Sequence, residues 1–520
     1  MKKYTYHPMH MHIHTCFQSG ACMESQLYNA HKLGMKYIRF TDHDSTLCRT
    51  FTPNIDFSRN ELEYKDENRV RVRFDPIGES ALDFEGDALR VTAEREGGTT
   101  LWTQYHRHMI TLLSDVTVRV GAVLKSGSGD LTLTFSERPP EMRNAKLVYP
   151  LKPGRNDFFL RLSDEITEEL GGLDNALTDI ALHVTSGTLL VDKLELDCMH
   201  DAAEIHRRQK ELAEKLGEKY GIKPFVTFEV SGAGEHKNCY STWVPIVDYT
   251  KYDHPLGEKE AADYLLSHGA TFSYNHPFLH AASHKKGDLT ATELENVVRL
   301  TAADIISTKA YGASAIEIGF PRGRGSKGFT LEHHLMFWDI LNSAGLFLTA
   351  VGDSDSHSSK AEWFSGNNFA VWTAADADIP FPVPEEEFIA SIRAGRAFTG
   401  DPVQFNGTAD LTGDGLPMGA IIPVTDKTVS EKHTYTFTAD SLKSGMKVRI
   451  IADGELISEH IAEDGQFEYT YELSPIHTVS FTRVELWNEE GRCILLTNPI
   501  YTVNTDKFAG DIPKERVYGG

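Results

Sequence analysis

Short apolar runs that end in polar residues recur along two parts of the chain. They cover residues 36–43, 224–229, 270–276, 315–319 and 346–353. Runs of this length are typical of buried strands. Helical segments that end at a glycine precede most of them, at 24–33, 202–220, 259–268 and 331–343. Alternating helices and strands predict a parallel sheet, and polar residues at the carboxyl ends of its strands lie where a β/α barrel places its active site.

Two other stretches alternate apolar and polar residues, as strands with one exposed face do. The alternation covers residues 70–74, 116–120, 131–135 and 188–196, and returns at 447–451 and 479–487. Many short strands between turns are typical of a β-sandwich. The sequence therefore predicts an α/β protein in four segments. These are the first part of a barrel at 1–52, an inserted jelly-roll-like β-sandwich at 53–200, the second part of the barrel at 201–402 and a C-terminal β-sandwich at 403–520.

The charge balance excludes some partners. The 520 residues include 52 lysines and arginines against 75 aspartates and glutamates, which gives a formal net charge of −23. Because so acidic a surface repels phosphate backbones and anionic lipid, we expect no binding to nucleic acid or to membranes. No apolar run reaches the ~18 residues that cross a bilayer. With six cysteines and no CxxC pair, the sequence predicts a cytoplasmic protein without a disulfide framework.

Histidines are concentrated at the amino terminus, where the first 50 residues contain six of the 23. His12 and His14 stand two residues apart, on one side of an extended strand, so both rings can reach one cation. Such a pair alone also fits two packed histidines. Other predicted strand ends add further ligand-type residues, namely Asp42, His43 and Asp44, then Glu229, His276, Asp355 and His357. Histidine and carboxylate side chains at five strand ends favour a metal site.

In their order along the chain, these motifs resemble the PHP (polymerase and histidinol phosphatase) superfamily. They are HxHT, TDHD, a glutamate after an apolar strand, NHP and GDSDSH, within residues 8–48 and 205–400. The resemblance implies a distorted (β/α)7 barrel with two or three divalent cations, usually for phosphoester hydrolysis. Residues 395–396 and 483–501 are similar to carbaryl-hydrolase-type members. Carried over by position, the implied metal ligands are His12, His14, His43, Glu229, His276, Asp355 and His357, with His236 as a further ligand.

Two positions depart from the family pattern. Ser19 stands where an acidic residue is expected, and Gly20 stands where some trinuclear members have a histidine. A hydroxyl is a poorer divalent ligand than a carboxylate or an imidazole, so we expect two metal ions and leave a third site open. The mixed ligand set favours Zn, Mn or Fe over Mg or Ca. Asp42 and Asp44 flank His43 and are expected to orient ligands rather than to bind the metal.

Two residues and one basic loop are candidates for the reaction itself. Asp355 can take a proton from the attacking water, and His236 is the candidate acid where it is not a ligand. Arg322, Arg324 and Lys327 follow a predicted strand end, where cations would bind a phosphorylated small-molecule substrate. The alternative for this loop is a solvated basic segment on an acidic protein.

The sequence therefore predicts a metal-dependent hydrolase. The first hypothesis is a phosphoesterase for a small phosphomonoester or phosphodiester, acting through a hydroxide that bridges two cations. The first alternative is a carbamate, amide or ester hydrolase, and the second is a non-catalytic glycan-binding protein on a relic barrel. The aromatic and histidine residues that invite glycan binding by the inserted domain are Trp102, Tyr105, His106 and His108. A tryptophan in a sandwich also fits its core, and the intact ligand series favours the enzyme.

Overall fold

The computed structural model describes residues 3–15, 21–47, 55–65, 71–103, 110–199, 201–252, 254–278, 289–318, 328–359, 363–364 and 369–518. The helices are α1 (Met23–Lys32), α2 (Asp44–Leu47), α3 (Leu162–Glu165), α4 (Ala202–Tyr220), α5 (Glu258–Ser267), α6 (Ala291–Thr308), α7 (Leu331–Ser343) and α8 (Glu385–Ala394). Strands outside the inserted segment and before residue 401 are β1 (Tyr4–Ile13), β2 (Tyr37–His43), β11 (Lys223–Val230), β12 (Lys237–Asn238), β13 (Ser273–Tyr274), β14 (Ala315–Glu317), β15 (Thr349–Val351), β16 (Ala370–Asp376) and β17 (Ala397–Gly400).

The remaining strands belong to the inserted and C-terminal segments. Those of the inserted segment are β3 (Glu63–Lys65), β4 (Arg71–Glu85), β5 (Ala88–Thr103), β6 (Ile110–Thr111), β7 (Asp115–Arg138), β8 (Arg143–Pro150), β9 (Gly154–Arg161) and β10 (Ala176–Met199). Those of the C-terminal segment are β18 (Ala409–Gly413), β19 (Ile421–Val424), β20 (His433–Leu442), β21 (Lys447–Ala452), β22 (Glu455–Ile461), β23 (Gly465–Leu473), β24 (Val479–Trp487), β25 (Cys493–Thr497) and β26 (Ile500–Asn504).

Strands dominate the protein, and those in the described ranges form four sheets. The largest runs β12-β11-β2-β1-β16-β17-β25-β24-β21-β22, with β26 paired to β24 and β19 paired to β26. Its β1, β2 and β11 are parallel. A second parallel sheet consists of β13, β14 and β15. The parallel pairs that alternating helices and strands predict are therefore present.

No closed barrel forms among the described strands. The two sheets that carry parallel strands are joined by isolated bridges at two places, one between Cys239 and Phe272 and one between Ile13 and Ser356. Continuous ladders are absent at these two points of the described chain. The distorted (β/α)7 barrel therefore stays a prediction.

The inserted segment forms its own sheet and core. Its eight strands follow the order β3-β4-β5-β10-β7-β8, with β6 on β10 and β9 on β7. Strands β7 and β10 have 24 residues each, and their register shifts in the middle. The apolar cluster on this sheet includes Val118, Leu133 and Val184, all buried. This part of the chain therefore has a core that the parallel strands do not share.

The inserted sheet contacts the first helix of the parallel part through charged residues. The Asp174 carboxylate accepts hydrogen bonds from the backbone nitrogens of Met23 and Glu24, at 2.9 and 3.0 Å. It thereby caps the amino terminus of α1, where a negative charge is favourable. The Arg138 guanidinium bonds Glu24 and the Asp174 carbonyl oxygen. These contacts orient α1, which follows β1, the strand at whose end His12 and His14 lie.

The C-terminal segment is less separate than the predicted boundary at residue 402 suggests. Its strand β25 pairs with β17, so that Phe398 lies opposite Thr497 and the sheet of the parallel part continues into this segment. The three-stranded sheet β18-β20-β23 packs against the continued sheet. One apolar cluster includes Phe398, Phe437 and Val484 from these layers. The physical reason for the continuity is this shared core.

In the ranges described, no helix is long and apolar enough to cross a membrane. Four cysteines of these ranges are buried free thiols. They are Cys22, Cys198, Cys239 and Cys493.

Candidate metal centre

The carboxyl ends of five strands, with the segments that follow them, bring the predicted ligands together in one buried cluster. Parallel strands place their carboxyl ends at the same edge, which explains the convergence of residues far apart in sequence. The contributing residues are His12 and His14 at the end of β1, His43 at the end of β2, Glu229 in β11, His236 before β12, His276 after β13, and Asp355 and His357 after β15.

Seven of these side chains form three overlapping groups. In each group, one ligand atom of every member lies within 4.8 Å of the others. Because two histidines belong to two groups each, the three groups are neighbours. The groups are His12, His14 and Asp355, then His14, His43 and His357, then His43, Glu229 and His236.

His276 lies beside these groups. Its Nε2 is 3.3 Å from Oε1 of Glu229, and its ring centroid is 4.9 Å from that of His236. The backbone of His276 has a φ of +23°, and that of Asp355 has a φ of +45°. Residues with side chains rarely adopt positive φ, and such conformations concentrate at functional sites. The strain therefore falls on two residues that point into the cluster.

The donor atoms fit a divalent cation. Nε2 of His12 lies 3.1 Å from Nε2 of His14, which in turn lies 2.9 Å from Oδ1 of Asp355. Nδ1 of His14 is buried and has no hydrogen-bond partner within the described ranges. Six imidazoles and two carboxylates in one buried place are costly without a charge to bind. This donor set suits Zn, Mn or Fe better than Mg or Ca.

The protonation states of three members are those of metal ligands. Burial alone would raise the pKa of Glu229, but neighbouring imidazoles, His236 foremost, hold it well below its usual range. Burial would likewise raise the pKa of Asp355, and His357 leads the groups that hold it well below its ordinary value. Burial lowers the pKa of His43 well below the ordinary value. The carboxylates are therefore ionised and this imidazole is neutral, as metal binding requires.

The pH dependence of metal binding follows from His12. Burial would lower its pKa, but the carboxylates of Glu317, Glu229 and Asp355 raise it well above its usual value. In the metal-free protein His12 therefore holds a proton that a cation must displace. We expect the metal affinity to rise with pH, about tenfold per unit for each proton displaced. Calorimetric titration of metal-free protein near pH 6 and near pH 8, in buffers of different ionisation enthalpy, would measure the metal affinity and the number of protons released. Equal affinity at both pH values without proton release would contradict this.

Two carboxylates without a predicted role contact the histidines of β1. Oε1 of Glu317 lies 2.6 Å from Nδ1 of His12, and its Oε2 accepts a 2.7 Å hydrogen bond from the backbone nitrogen of His276. Asp353 accepts a 2.9 Å bond from the backbone nitrogen of Met11 and lies 3.4 Å from Nδ1 of His10. A carboxylate on the far nitrogen of a ligand histidine fixes its ring and increases its basicity. The sequence signal was a glutamate inside the apolar run 315–319.

The two aspartates that flank His43 differ in their contacts. Asp42 accepts 2.7 Å hydrogen bonds from the backbone nitrogen and the hydroxyl of Thr15, and its Oδ1 lies 3.9 Å from Nδ1 of His14. Asp44 instead accepts bonds from the Tyr249 hydroxyl at 2.7 Å and from a backbone nitrogen at 3.0 Å. Burial raises the pKa of Asp44 to about 7. The arrangement puts Asp42, rather than Asp44, beside a candidate ligand.

Several sequence predictions fall on parts of the chain that the structure does not describe. They concern the substrate-binding loop, the third metal site and the glycan-binding side chains. The residues outside the described ranges are Arg322, Arg324, Lys327, Ser19, Gly20, Tyr105, His106 and His108, together with the side chain of Trp102.

Comparison with known proteins assigns no family. No family model and no curated protein matches the chain. Among solved structures, a CBM29-2 mutant complexed with mannohexaose is similar over 30% of this chain and 95% of that one, with 11% identity and a TM-score of 0.21. A CBM29-2 mutant complexed with cellulohexaose shows 12% identity over 30% and 94%, with a TM-score of 0.21. These TM-scores are too low for the likeness to carry an argument.

Proposed function

We propose that the chain is a metal-dependent hydrolase similar to the PHP superfamily, and that it is a phosphoesterase for a small phosphomonoester or phosphodiester. A distorted (β/α)7 barrel is part of this proposal. The observation that supports it is the convergence of eight predicted ligands from five strand ends into one buried cluster. Such a set could otherwise be a network of packed histidines, and the buried Nδ1 of His14, which has no hydrogen-bond partner within the described ranges, argues against that reading.

Two divalent cations, Zn, Mn or Fe, would be held by the overlapping groups, with a third site open. When bound, they would supply a hydroxide nucleophile at neutral pH and stabilise the charge that develops on the reacting group. Adjacent groups that share a histidine suit neighbouring ions. The ionised carboxylates of Glu229 and Asp355 would offset part of the positive charge.

The residues of the cluster would have different roles in admitting the substrate and in transferring protons. His236 and His357 have 15% of their side chains exposed, more than the other six members. Substrate therefore approaches the cluster from this side. His236 would donate a proton to the leaving oxygen where it is not a ligand, and Asp355 would accept a proton from the attacking water.

Substrate binding would come from the loop after β14. This strand ends at Glu317, whose carboxylate already contacts the cluster. Arg322, Arg324 and Lys327 follow a few residues later in the sequence. The positively charged side chains of these three residues would bind the phosphoryl oxygens of the substrate.

Metal content and hydrolysis, measured on the same purified protein, test the proposal. We expect about two equivalents of Zn, Mn or Fe, and turnover of an aryl phosphate monoester or diester. A chelator should abolish this turnover, and the returned cation should restore it. Preference for an aryl carbamate or carboxylic ester over both phosphates would favour the alternative hydrolase. Absence of bound metal after reconstitution would overturn the proposal and favour the glycan-binding alternative, which a glycan array would then examine.

A further inference from the structure

Two segments that carry candidate ligands lie side by side near the inserted sheet. The first is the end of β1 with His14, and the second is the segment after β15 with Asp355 and His357. The backbone nitrogen of His14 donates a 3.0 Å hydrogen bond to the carbonyl oxygen of Ser356, and Ile13 forms an isolated bridge with Ser356. Since an isolated bridge fixes one position only, the orientation of the second segment depends on its other contacts.

Helix α1 contacts both of these segments. Nε2 of Gln26 donates a 2.9 Å hydrogen bond to the carbonyl oxygen of His14. Nδ2 of Asn29 donates a 2.6 Å hydrogen bond to the carbonyl oxygen of Ser359, in the second segment. Gln26, Asn29 and Ser359 are all buried. Because residues three apart lie on the same face of a helix, one face of α1 holds both segments.

One residue of the inserted sheet connects this helix to the second segment. Glu137 lies near the end of β7. Its backbone carbonyl oxygen accepts a 2.6 Å hydrogen bond from the hydroxyl of Ser25, in the first turn of α1. Its side-chain Oε2 accepts a hydrogen bond from the hydroxyl of Ser359. Together with the bond from Asn29 to Ser359, these contacts close a ring of hydrogen bonds.

The place of this ring favours a role at the metal centre. Ser359 follows His357 by two positions, so a movement of Ser359 moves the backbone next to a candidate ligand. Because Ser359 is buried, loss of the carboxylate would remove the acceptor of a buried hydroxyl, which costs free energy unless the segment moves to another acceptor. A metal site needs its side chains held within about 0.5 Å, so even a small movement would weaken metal binding.

We propose that Glu137 is a positioning residue of the metal centre, through which the inserted sheet holds the segment of Asp355 and His357 against the end of β1. The inference rests on the proposed function, since it takes these residues as metal ligands. Glu137 is not a member of the three groups of candidate ligands, so it acts through the backbone of the segment. The alternative is a contact that only docks the inserted sheet.

Docking of the inserted sheet does not depend on this contact alone. The Asp174 carboxylate caps α1, and the Arg138 guanidinium bonds Glu24 on the same helix. A variant of Glu137 should therefore keep the sheet in place. Its effect on the ligand segments can then be measured in a folded protein.

Hydrogen exchange of the metal-free full chain, followed by mass spectrometry, tests the link without any metal. In Glu137→Ala and in Ser359→Ala, the amides of 353–359 and of the end of β1 should exchange about tenfold faster, the size expected for one lost bond of a buried group. The double variant should exchange no faster than either single variant, because both remove the same bond. Glu137→Gln, whose amide oxygen can accept from Ser359, should restore slow exchange. Exchange in α7 should stay unchanged, which excludes a general loss of stability.

Competition with a chelating dye measures the effect on metal affinity. We expect Glu137→Ala and Ser359→Ala to bind Zn about tenfold more weakly, at the lower end of the range for loss of a ligand's partner, because Glu137 acts through the backbone. Glu94→Ala, which alters an exposed glutamate on β5 of the same sheet, should match the unaltered protein in affinity and exchange.

Two results would overturn the inference. One is unchanged exchange in both Glu137→Ala and Ser359→Ala, and the other is faster exchange with unchanged metal affinity. Absence of metal binding by the unaltered protein would instead overturn the proposed function. The exchange rates of the metal-free variants would then decide alone whether Glu137 holds the segment.

Discussion

Replacing Asp355 by asparagine is expected to remove bound metal and hydrolytic activity together. Its Oδ1 lies 2.9 Å from Nε2 of His14 and 3.3 Å from Nδ1 of His357, so its charge faces two of the three groups. Loss of a partner that merely supports a ligand already costs about 10–100-fold in metal affinity or activity. Loss of an ionised ligand should cost more than the upper end of this range, that is, more than about 100-fold. Elemental analysis and the turnover of an aryl phosphate measure the two effects.

The control for this variant is Asp378→Asn, which alters an exposed aspartate beyond the end of β16. It should keep the metal content and the turnover of the unaltered protein. Because asparagine has nearly the size of aspartate, the metal-free forms of Asp355→Asn and of the unaltered protein should melt within a few degrees of each other. If Asp355→Asn retains full metal and full turnover, Asp355 does not belong to the site.

The spacing of apolar residues and the glycines that follow helices predicted the bounds of several helices closely. The helix at 202–220 is present as Ala202–Tyr220, and the one at 331–343 is present as Leu331–Ser343. Both have a strong apolar face and a glycine at or just after the end. The helix Ala291–Thr308 was not predicted, although its capping box of Thr290 and Glu293 is a readable signal. The spacing of apolar residues, together with a glycine after the helix, therefore predicted the bounds of these two helices but not every helix with one buried face.

The same pattern could not predict which sheet each strand joins. Strand β25 joins the sheet of the parallel part because Phe398 and Leu495 share one apolar cluster, and the residues that meet there are about a hundred positions apart. Strand pairing at that distance depends on which apolar faces meet, and alternation alone does not specify this. The predicted boundary at residue 402 accordingly separates segments that share a sheet. The isolated bridges between the two sheets that carry parallel strands could not be predicted from the sequence pattern either.

The candidate site was more predictable, because its residues stand at strand ends. Six imidazoles and two carboxylates could be assigned from motifs, and the structure brings all eight together. Their assignment as metal ligands stays a prediction until metal is measured. Glu317 was missed because it is one polar residue in an apolar strand, and nothing local says which histidine it meets. Its partner His12 is 305 positions away.

Replacing Glu317 by glutamine is expected to weaken metal binding while keeping every ligand in place. The carboxylate bonds Nδ1 of His12 at 2.6 Å and holds the backbone of His276. Loss of such a partner costs about 10–100-fold in metal affinity. It should also lower the pKa of His12 in the metal-free protein, since Glu317 is the strongest of the charges that raise it. Competitive titration with a chelating dye measures the affinity, and NMR of the histidine ring measures the pKa.

The fall in the pKa of His12 separates positioning from a general loss of stability. Unfolding would abolish the whole titration, whereas loss of one nearby charge shifts a single ring to lower pH. Glu295→Gln, on the exposed face of α6, is the matched control and should change neither quantity. An unshifted His12 in Glu317→Gln would mean that the 2.6 Å contact does not set its protonation. A full-strength metal site in the same variant would mean that His12 keeps its orientation through its other neighbours, Glu229 and Asp355.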